Sequence, residues 1–239
     1  MSGLSRCRAA VGTIAAIALL ALAHGGCSAR SAPVVDPRTQ NLHFQLLGVD
    51  WERVQKDRPG IAPLKVIGEL DIPKPYIAAH RGLTGKESNI PIAFTFPGMH
   101  PAADRRGEAN TVSAIITGMT EDGIRNGNNM TLSRDGIVRE PALDVGSLCA
   151  YVDTKNPGWA GAEFLFSCDL TDQVFNLFCS KPWNNSQTCY EGVILKGRIG
   201  AQLIYRKDLI NVHVAMIEQL RNLVEAFIAS TPVDEPARP

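Results

Sequence analysis

The sequence lacks both a charge imbalance and a long apolar run. The 239 residues include 24 Lys and Arg and 24 Asp and Glu, and this balance gives no electrostatic reason to expect a nucleic-acid or anionic-membrane partner. The N-terminal apolar run, Ala9–Ala23, has 15 residues, whereas a membrane-spanning helix needs roughly 20. The sequence therefore disfavours a nucleic-acid-binding protein and a transmembrane helix made from this run.

The motifs of several common catalytic sites are also absent. The chain has no G-x-S-x-G elbow, no G-x-x-x-x-G-K-[ST] phosphate loop and no H-E-x-x-H metal motif. His100, Asp104 and Glu108 are spaced by four and would line one face of a helix as metal ligands, but Gly107 weakens such a helix and the charged surroundings favour a solvated loop. We therefore expect a non-enzymatic protein with no catalytic residue, no bound metal and no cofactor.

The N-terminus has the features of an export signal. Arg6 and Arg8 precede the apolar run and small residues follow it, which is the order of parts in a signal peptide. Residues 1–26 are therefore predicted to be a signal peptide, and Cys27, directly after two glycines, resembles the modified cysteine of bacterial lipoprotein signals. The alternative is an ordinary cleaved signal without lipid, because His24 stands three residues before the cysteine, where that family prefers leucine.

A lipidated Cys27 predicts a periplasmic protein anchored to the outer membrane, because Ser28 rather than aspartate follows it. Without residues 1–27 the chain has 22 basic and 24 acidic residues, a formal charge of −2. The expected organisation is a signal peptide (1–26), a flexible tether (27–40), a β-rich lobe (41–139), a disulfide-containing sheet with a C-terminal helix (140–230) and a disordered tail (231–239).

Four cysteines of the expected mature chain lie close together, at Cys149, Cys168, Cys179 and Cys189. An even, clustered set in an oxidising compartment indicates two disulfides. A zinc site is disfavoured because no C-x2-C pair is present. Three pairings are possible, and the pairing Cys149–Cys168 with Cys179–Cys189 is preferred because it closes two short loops.

Hydrophobic periodicity predicts an α+β fold, a mostly antiparallel sheet with one long C-terminal amphipathic helix packed on it. From Leu209 to Ile228 apolar residues recur at three and four, which predicts about six helical turns with Asp208 at the N-terminal end. His213, within the apolar stripe, is expected to be a packed, hydrogen-bonded core residue. Strands are predicted at 42–46, 64–70, 90–96, 111–120, 148–152, 163–168, 174–178 and 193–205.

Glycine positions predict a turn and a distorted strand. The segment Gly123–Asn129 is rich in Gly and Asn and is predicted to be a turn. Gly197 and Gly200 are predicted to bend or bulge the long strand over 193–205.

Tryptophans in loops are the candidate partner-binding residues. Trp183 and Asn184 lie in the polar segment Ser180–Thr188 between two cysteines, where a disulfide would stiffen the loop. Trp159 follows Pro157-Gly158 in a predicted turn. Tryptophan is enriched at binding hot spots, and the alternative is that these rings only pack back onto the protein.

Three local segments carry a family resemblance, namely Asp71–Ile77, Ala93–Pro101 and Gln202–Ile210. They resemble parts of small proteobacterial periplasmic lipoproteins found in type VI secretion clusters, where such proteins act as immunity proteins. The resemblance implies an exported, anchored, non-enzymatic protein that binds a toxic effector, for example a phospholipase. It carries over no site residue.

The predicted function is thus neutralisation of a type VI effector through a protein–protein interface. One alternative is a structural or assembly lipoprotein of the cell envelope. A second is a periplasmic hydrolase with an unrecognised site, in which His80 or His100 would be essential.

Overall fold

The computed structural model describes residues 40–50, 63–78, 83–104, 108–169, 175–182 and 186–228. The predicted signal peptide, the lipidation site Cys27, residues 27–39 of the tether and the C-terminal tail lie outside these ranges, as do His80, Trp183 and Asn184. No helix within the described ranges is long and apolar enough to cross a membrane.

A small sheet begins the described part of the chain. It contains β1 (Asn41–Val49), β2 (Leu64–Pro73) and β3 (Lys86–Glu87), in the order β2-β1-β3. Strand β1 pairs antiparallel with β2 and parallel with β3. The predicted alternation appears in β1, where Phe44 and Leu46 are buried and Gln45 between them is less so.

A larger antiparallel sheet holds the other eight described strands, in the order β4-β5-β11-β10-β9-β8-β7-β6. Segments 41–139 and 140–230 both contribute to it, because β5 pairs with β11. The strands are β4 (Asn89–Thr95), β5 (Thr111–Gly118), β6 (Ile137–Arg139), β7 (Leu148–Asp153), β8 (Glu163–Ser167), β9 (Phe175–Cys179), β10 (Thr188–Lys196) and β11 (Ile199–Arg206).

The prediction of one long strand over 193–205 is wrong, because the chain reverses within it. Strands β10 and β11 form an antiparallel hairpin in which Lys196 is paired with Ile199. Gly197, with φ of 57°, occupies the left-handed region that a tight hairpin turn requires. The two halves of the predicted strand therefore lie side by side.

The turn predicted at Gly123–Asn129 is also wrong, because helix α1 (Glu121–Leu132) covers it. The side chain of Thr120 accepts a hydrogen bond from the backbone N–H of Gly123 at 3.1 Å and caps the first turn. Ile124 and Asn128, one turn apart, are buried. Capping and burial thus outweigh the weak helix propensity of glycine and asparagine.

The C-terminal helix begins later than predicted. Residues Lys207–Val212 form 3-10 turns, and α2 spans His213–Phe227. Asp208 pairs with Arg206 at 2.9 Å instead of capping α2, whose first turn has no side-chain cap. The fold is therefore α+β and mostly antiparallel, with α1 as an element that was not predicted.

One hydrophobic core joins the two sheets and α2. Helix α2 contacts β10 and β2, and the ring of Phe227 meets the edge of the Tyr76 ring with centroids 5.2 Å apart. The buried residues of α2 are His213, Met216, Leu220, Leu223, Val224 and Phe227.

Two disulfides lie within the larger sheet, with the pairing preferred from the sequence. Cys179 and Cys189 occupy directly paired positions of β9 and β10, with Cα atoms 4.0 Å apart. Cys149 on β7 bonds to Cys168, just after β8, with Cα atoms 4.9 Å apart. Both bridges therefore tie together strands that are neighbours in the sheet.

Candidate protein-binding groove

Four aromatic residues form a row across the larger sheet. Tyr151, Phe164, Phe178 and Tyr190 occupy directly paired positions of β7, β8, β9 and β10. Directly opposed residues of antiparallel strands point to the same face, so the rings lie on one side of the sheet. The ring centroids of Phe164 and Phe178 are 5.4 Å apart, and those of Phe178 and Tyr190 are 5.9 Å apart.

Trp159 packs against this aromatic row. It ends the short 3-10 turn Pro157–Trp159, in which the side chain of Asn156 accepts a hydrogen bond from the N–H of Gly158 at 3.0 Å. The Trp159 ring lies edge-on to Phe178 at 4.9 Å and tilted to Phe164 at 5.8 Å. The indole is half-buried, so part of it faces solvent.

Helix α1 and the residues after it face the same aromatic row. The Asn128 side chain donates a hydrogen bond to the backbone carbonyl of Phe175 at 2.7 Å and fixes α1 to β9. Beyond the helix, the guanidinium of Arg134 lies 5.1 Å from the centre of the Phe164 ring, within the range of a cation–π contact.

Together these elements line a recess of about 500 Å³, which we call the aromatic groove. Its lining contains a single charged side chain, Arg134, together with several amide and hydroxyl groups. The lining residues are Gly127, Asn128, Thr131, Arg134, Trp159, Phe164, Phe166, Asn176, Leu177, Phe178, Tyr190 and Gln202.

Gly192 determines where one amide of the groove lies. The Oδ1 atom of Asn176 accepts a hydrogen bond from the N–H of Gly192 at 2.9 Å. A Cβ atom on Gly192 would stand 2.3 Å from that oxygen, so only glycine allows the Asn176 side chain to lie across β10. Asn176 also lines a second recess of about 280 Å³ beside Gly118, Met119 and Arg198.

Polar side chains are buried on the core side of the same sheet. The Tyr205 hydroxyl donates a 2.6 Å hydrogen bond to Oε2 of Glu191, and Nδ1 of His213 lies 2.9 Å from Oε1. Burial, and then the charge of Glu191, raise the pKa of Tyr205 far above its usual range. Glu191 has 0% of its surface exposed, so the trio has no access to a substrate. His213 is thus the hydrogen-bonded core residue expected from the sequence.

The metal-ligand spacing at 100–108 does not form a helix in the described residues. His100, Asp104 and Glu108 are exposed, Pro101 forms a β-bridge with Phe94 and Asp104 lies in a turn. No group of three or more His, Cys, Asp or Glu side chains within the described ranges could hold a metal ion.

Of the three predicted partner-binding residues, the structure describes Trp159 and places it in the aromatic groove. Trp183 and Asn184 lie outside the described residues. Sequence reasoning did not identify Arg134, Phe178 or Tyr190. Phe178 and Tyr190 each stand next to a cysteine that was predicted to form a disulfide. This position next to a disulfide was the sequence signal that could have placed the two rings close together.

Comparisons with known proteins give little similarity. No protein-family model and no curated protein sequence matches the chain. One similar solved structure is Smlt3025, described as an immunity protein of the Stenotrophomonas maltophilia type IV secretion system. It has a TM-score of 0.48 and 11% sequence identity, and the match covers 67% of this chain and 89% of that chain. This degree of similarity does not assign a function to the chain.

Proposed function

We propose that the protein is an exported immunity protein, which binds a toxic antibacterial protein and neutralises it outside the cytoplasm. The aromatic groove is the observation that carries the proposal. It brings Trp159, Tyr190 and Arg134 to one recess, and Trp, Tyr and Arg are the residues enriched at protein-binding hot spots. A standard protein–protein interface buries about 1,600 Å², so the groove would be the centre of a larger contact.

The cysteines and the N-terminal pattern support an extracytoplasmic location. Disulfides persist in oxidising compartments such as the bacterial periplasm, and Cys149–Cys168 and Cys179–Cys189 both form in the described sheet. The export signal predicted at 1–26 agrees with this location. We propose further that Cys27 carries lipid and anchors the protein to the outer membrane.

The proposed partner is an effector of a type VI secretion system, for example a phospholipase. Inhibition would result from occlusion of the effector's active site by the bound immunity protein. Trp183 and Asn184 belong to the segment that Cys179–Cys189 closes, and we propose that they extend the interface beyond the groove.

Co-expression tests the proposed function. The chain with its native signal is produced in the periplasm together with each toxin candidate from the adjacent secretion genes, and survival and co-purification are measured. We expect one candidate to kill cells without the chain and to be neutralised and co-purified with it. If no candidate is neutralised, the proposed function is wrong.

A deletion strain separates immunity from an envelope-assembly role. An immunity protein is required only when the toxin gene is intact, whereas an assembly lipoprotein is required in its absence as well.

Alanine substitution at His80 and at His100 tests the hydrolase alternative. That alternative requires one of these residues for function, whereas we expect neither substitution to reduce neutralisation. Mass spectrometry of the mature N-terminus tests the anchor, and an unmodified terminus at Gly26 or Ser28 would contradict it.

A further inference from the structure

We infer that the aromatic groove binds a segment of the protein partner in which an apolar side chain stands next to a carboxylate, and that Arg134 pairs with that carboxylate. This inference rests on the proposed function and specifies the chemistry of the partner at this site.

The aromatic rings that line the groove are the reason to expect an apolar side chain in the partner segment. Phe178, Tyr190 and Trp159 are each half-buried, so part of each ring remains available for contact. The volume of about 500 Å³ lies within the range of about 300–1,000 Å³ that encloses a drug-sized ligand. An apolar side chain of a partner loop, with its neighbours, fits a recess of this size.

The charges around the groove are the reason to expect a carboxylate in the partner segment. Arg134 forms no ion pair with any described residue, and its sequence neighbour Asp135 is already paired with Lys155. A second arginine, Arg139, also lies over the aromatic row, 5.6 Å from the centre of the Tyr151 ring. Two hydrogen bonds of 2.6 Å tie Arg139 to Asp144, so Arg134 is the arginine that remains available.

A carboxylate is the group that best fits this guanidinium. Arginine presents a planar fork of N–H donors that binds carboxylates through two parallel hydrogen bonds. The Arg134 guanidinium already lies over the Phe164 ring, and this contact restricts where the fork can lie. Because the described lining contains no acidic side chain, an acidic partner segment meets no like charge in the groove.

The groove does not favour a nucleic acid, because its one arginine supplies too little charge to hold a phosphate backbone. Its other polar lining groups include the amides of Asn128, Asn176 and Gln202. Asn176 and Gln202 are exposed and can bond the backbone of an extended segment. Asn128 is buried and its side chain is already bonded to Phe175. A glycan would also stack on aromatic rings, so the experiment tests glycan binding, which would contradict the inference.

Gly127 provides a way to close the groove without disturbing the fold. It lies on the wall formed by α1, and a Cβ atom added there would meet nothing within 4 Å. Gly127→Trp should therefore fill the groove, while Gly127→Ala should leave it open and, if anything, stabilise α1.

A peptide array tests the inference directly. The mature chain is applied to heptapeptides with a central Leu, Phe or Trp flanked by Asp and Glu, by Lys or by Ser. We expect acidic-flanked peptides to bind about tenfold or more tightly than lysine-flanked ones, since a charge-assisted pair contributes at this level. Arg134→Glu should reverse the preference, Gly127→Trp should abolish binding and Gly127→Ala should retain it.

Arg125→Glu is the matched control, because it makes the same charge change on α1 outside the groove lining and should leave the preference unchanged. Circular dichroism and thermal unfolding of each variant separate loss of binding from loss of fold. Absence of a flank preference, binding that persists in Gly127→Trp, or binding of N-acetylglucosamine oligomers in place of peptides would overturn the inference.

The neutralisation assay distinguishes failure of this inference from failure of the proposed function. If the wild-type chain neutralises an effector and Arg134→Glu and Gly127→Trp neutralise it equally well, the groove inference is wrong and the immunity function stands. If no effector is neutralised, the proposed function is wrong whatever the peptides show.

Discussion

Nδ1 of His213 lies 2.9 Å from Oε1 of Glu191, a carboxylate with no exposed surface. The contact joins the first residue of α2 to the middle of β10. The Tyr205 hydroxyl from β11 donates a hydrogen bond to the second carboxylate oxygen. Because a buried polar group is costly unless it is hydrogen bonded, this arrangement fixes where the helix begins on the sheet.

Glu191→Ala should destabilise the protein by about 3–5 kcal/mol, since it leaves the buried groups of two partners without an acceptor. Tyr205→Phe, which removes one hydrogen bond, should cost only about 1–2 kcal/mol. Urea unfolding at pH 7 measures both changes. Glu108→Ala, at an exposed site, is the control and should change the free energy of unfolding by less than about 0.5 kcal/mol. An effect of Glu191→Ala no larger than that of Glu108→Ala would contradict the prediction.

Most of the strands were predictable from the sequence. In β1 and β4 the apolar residues alternate with the period of an extended chain, and that pattern does not depend on the rest of the molecule. Helix α1 could not be predicted in this way. Its glycines and asparagines favour turns, and it is held by the bond from Asn128 to Phe175, 47 residues away.

The candidate site was predictable only in part. Trp159 was identified because tryptophan in a turn is a recognisable signal. The aromatic row needed the register of four strands, which a single sequence does not contain. The position of Arg134 over Phe164 depended on α1, the element that was predicted to be a turn.

Alkaline conditions should destabilise the protein through Tyr76. Burial raises the pKa of Tyr76 from 10.0 to about 12, so the folded state favours the neutral phenol. The corresponding stabilisation is fully present below about pH 10, the unfolded value, and is lost as the pH rises towards 12. The free energy of unfolding should therefore fall between pH 10 and 12, by about 2–3 kcal/mol from this group.

Tyr76→Phe supplies the comparison. It loses the hydrogen bond from the Tyr76 hydroxyl to the carbonyl of Met99 at 2.8 Å, so it should be less stable than the wild type at pH 8 by about 1 kcal/mol. Its stability should depend less steeply on pH above 10. Urea unfolding at several pH values checks this, and parallel profiles of the two proteins would contradict the assignment.

Thr120 should stabilise α1 through its cap. Thr120→Ala removes the acceptor for the N–H of Gly123 and should cost about 1 kcal/mol. Amide hydrogen exchange in Glu121–Leu132 should accelerate more than exchange in the sheet, because the loss is local. Thr120→Ser keeps a hydroxyl acceptor and should exchange like the wild type. Equal exchange in the alanine and serine variants would show that the cap does not stabilise the helix.

The disulfide Cys179–Cys189 should support both stability and the groove. Its cysteines adjoin Phe178 and Tyr190 on β9 and β10, so its loss frees the strands that carry two rings of the floor. The closed loop has a sequence separation of 10 residues, and replacing both cysteines by alanine should cost about 3 kcal/mol on the chain-entropy model.

Replacing Cys149 and Cys168 by alanine is the matched control for that change. Its loop has a sequence separation of 19 residues, for which the same model gives a similar cost of about 3 kcal/mol. We expect the two double variants to lose similar stability in urea unfolding. The Cys179–Cys189 variant should lose more affinity for acidic-flanked peptides, because that bridge joins two groove-lining strands, β9 and β10, whereas Cys149–Cys168 joins only one, β8, to β7. Equal loss of affinity in both would mean that the bridge acts on global stability alone.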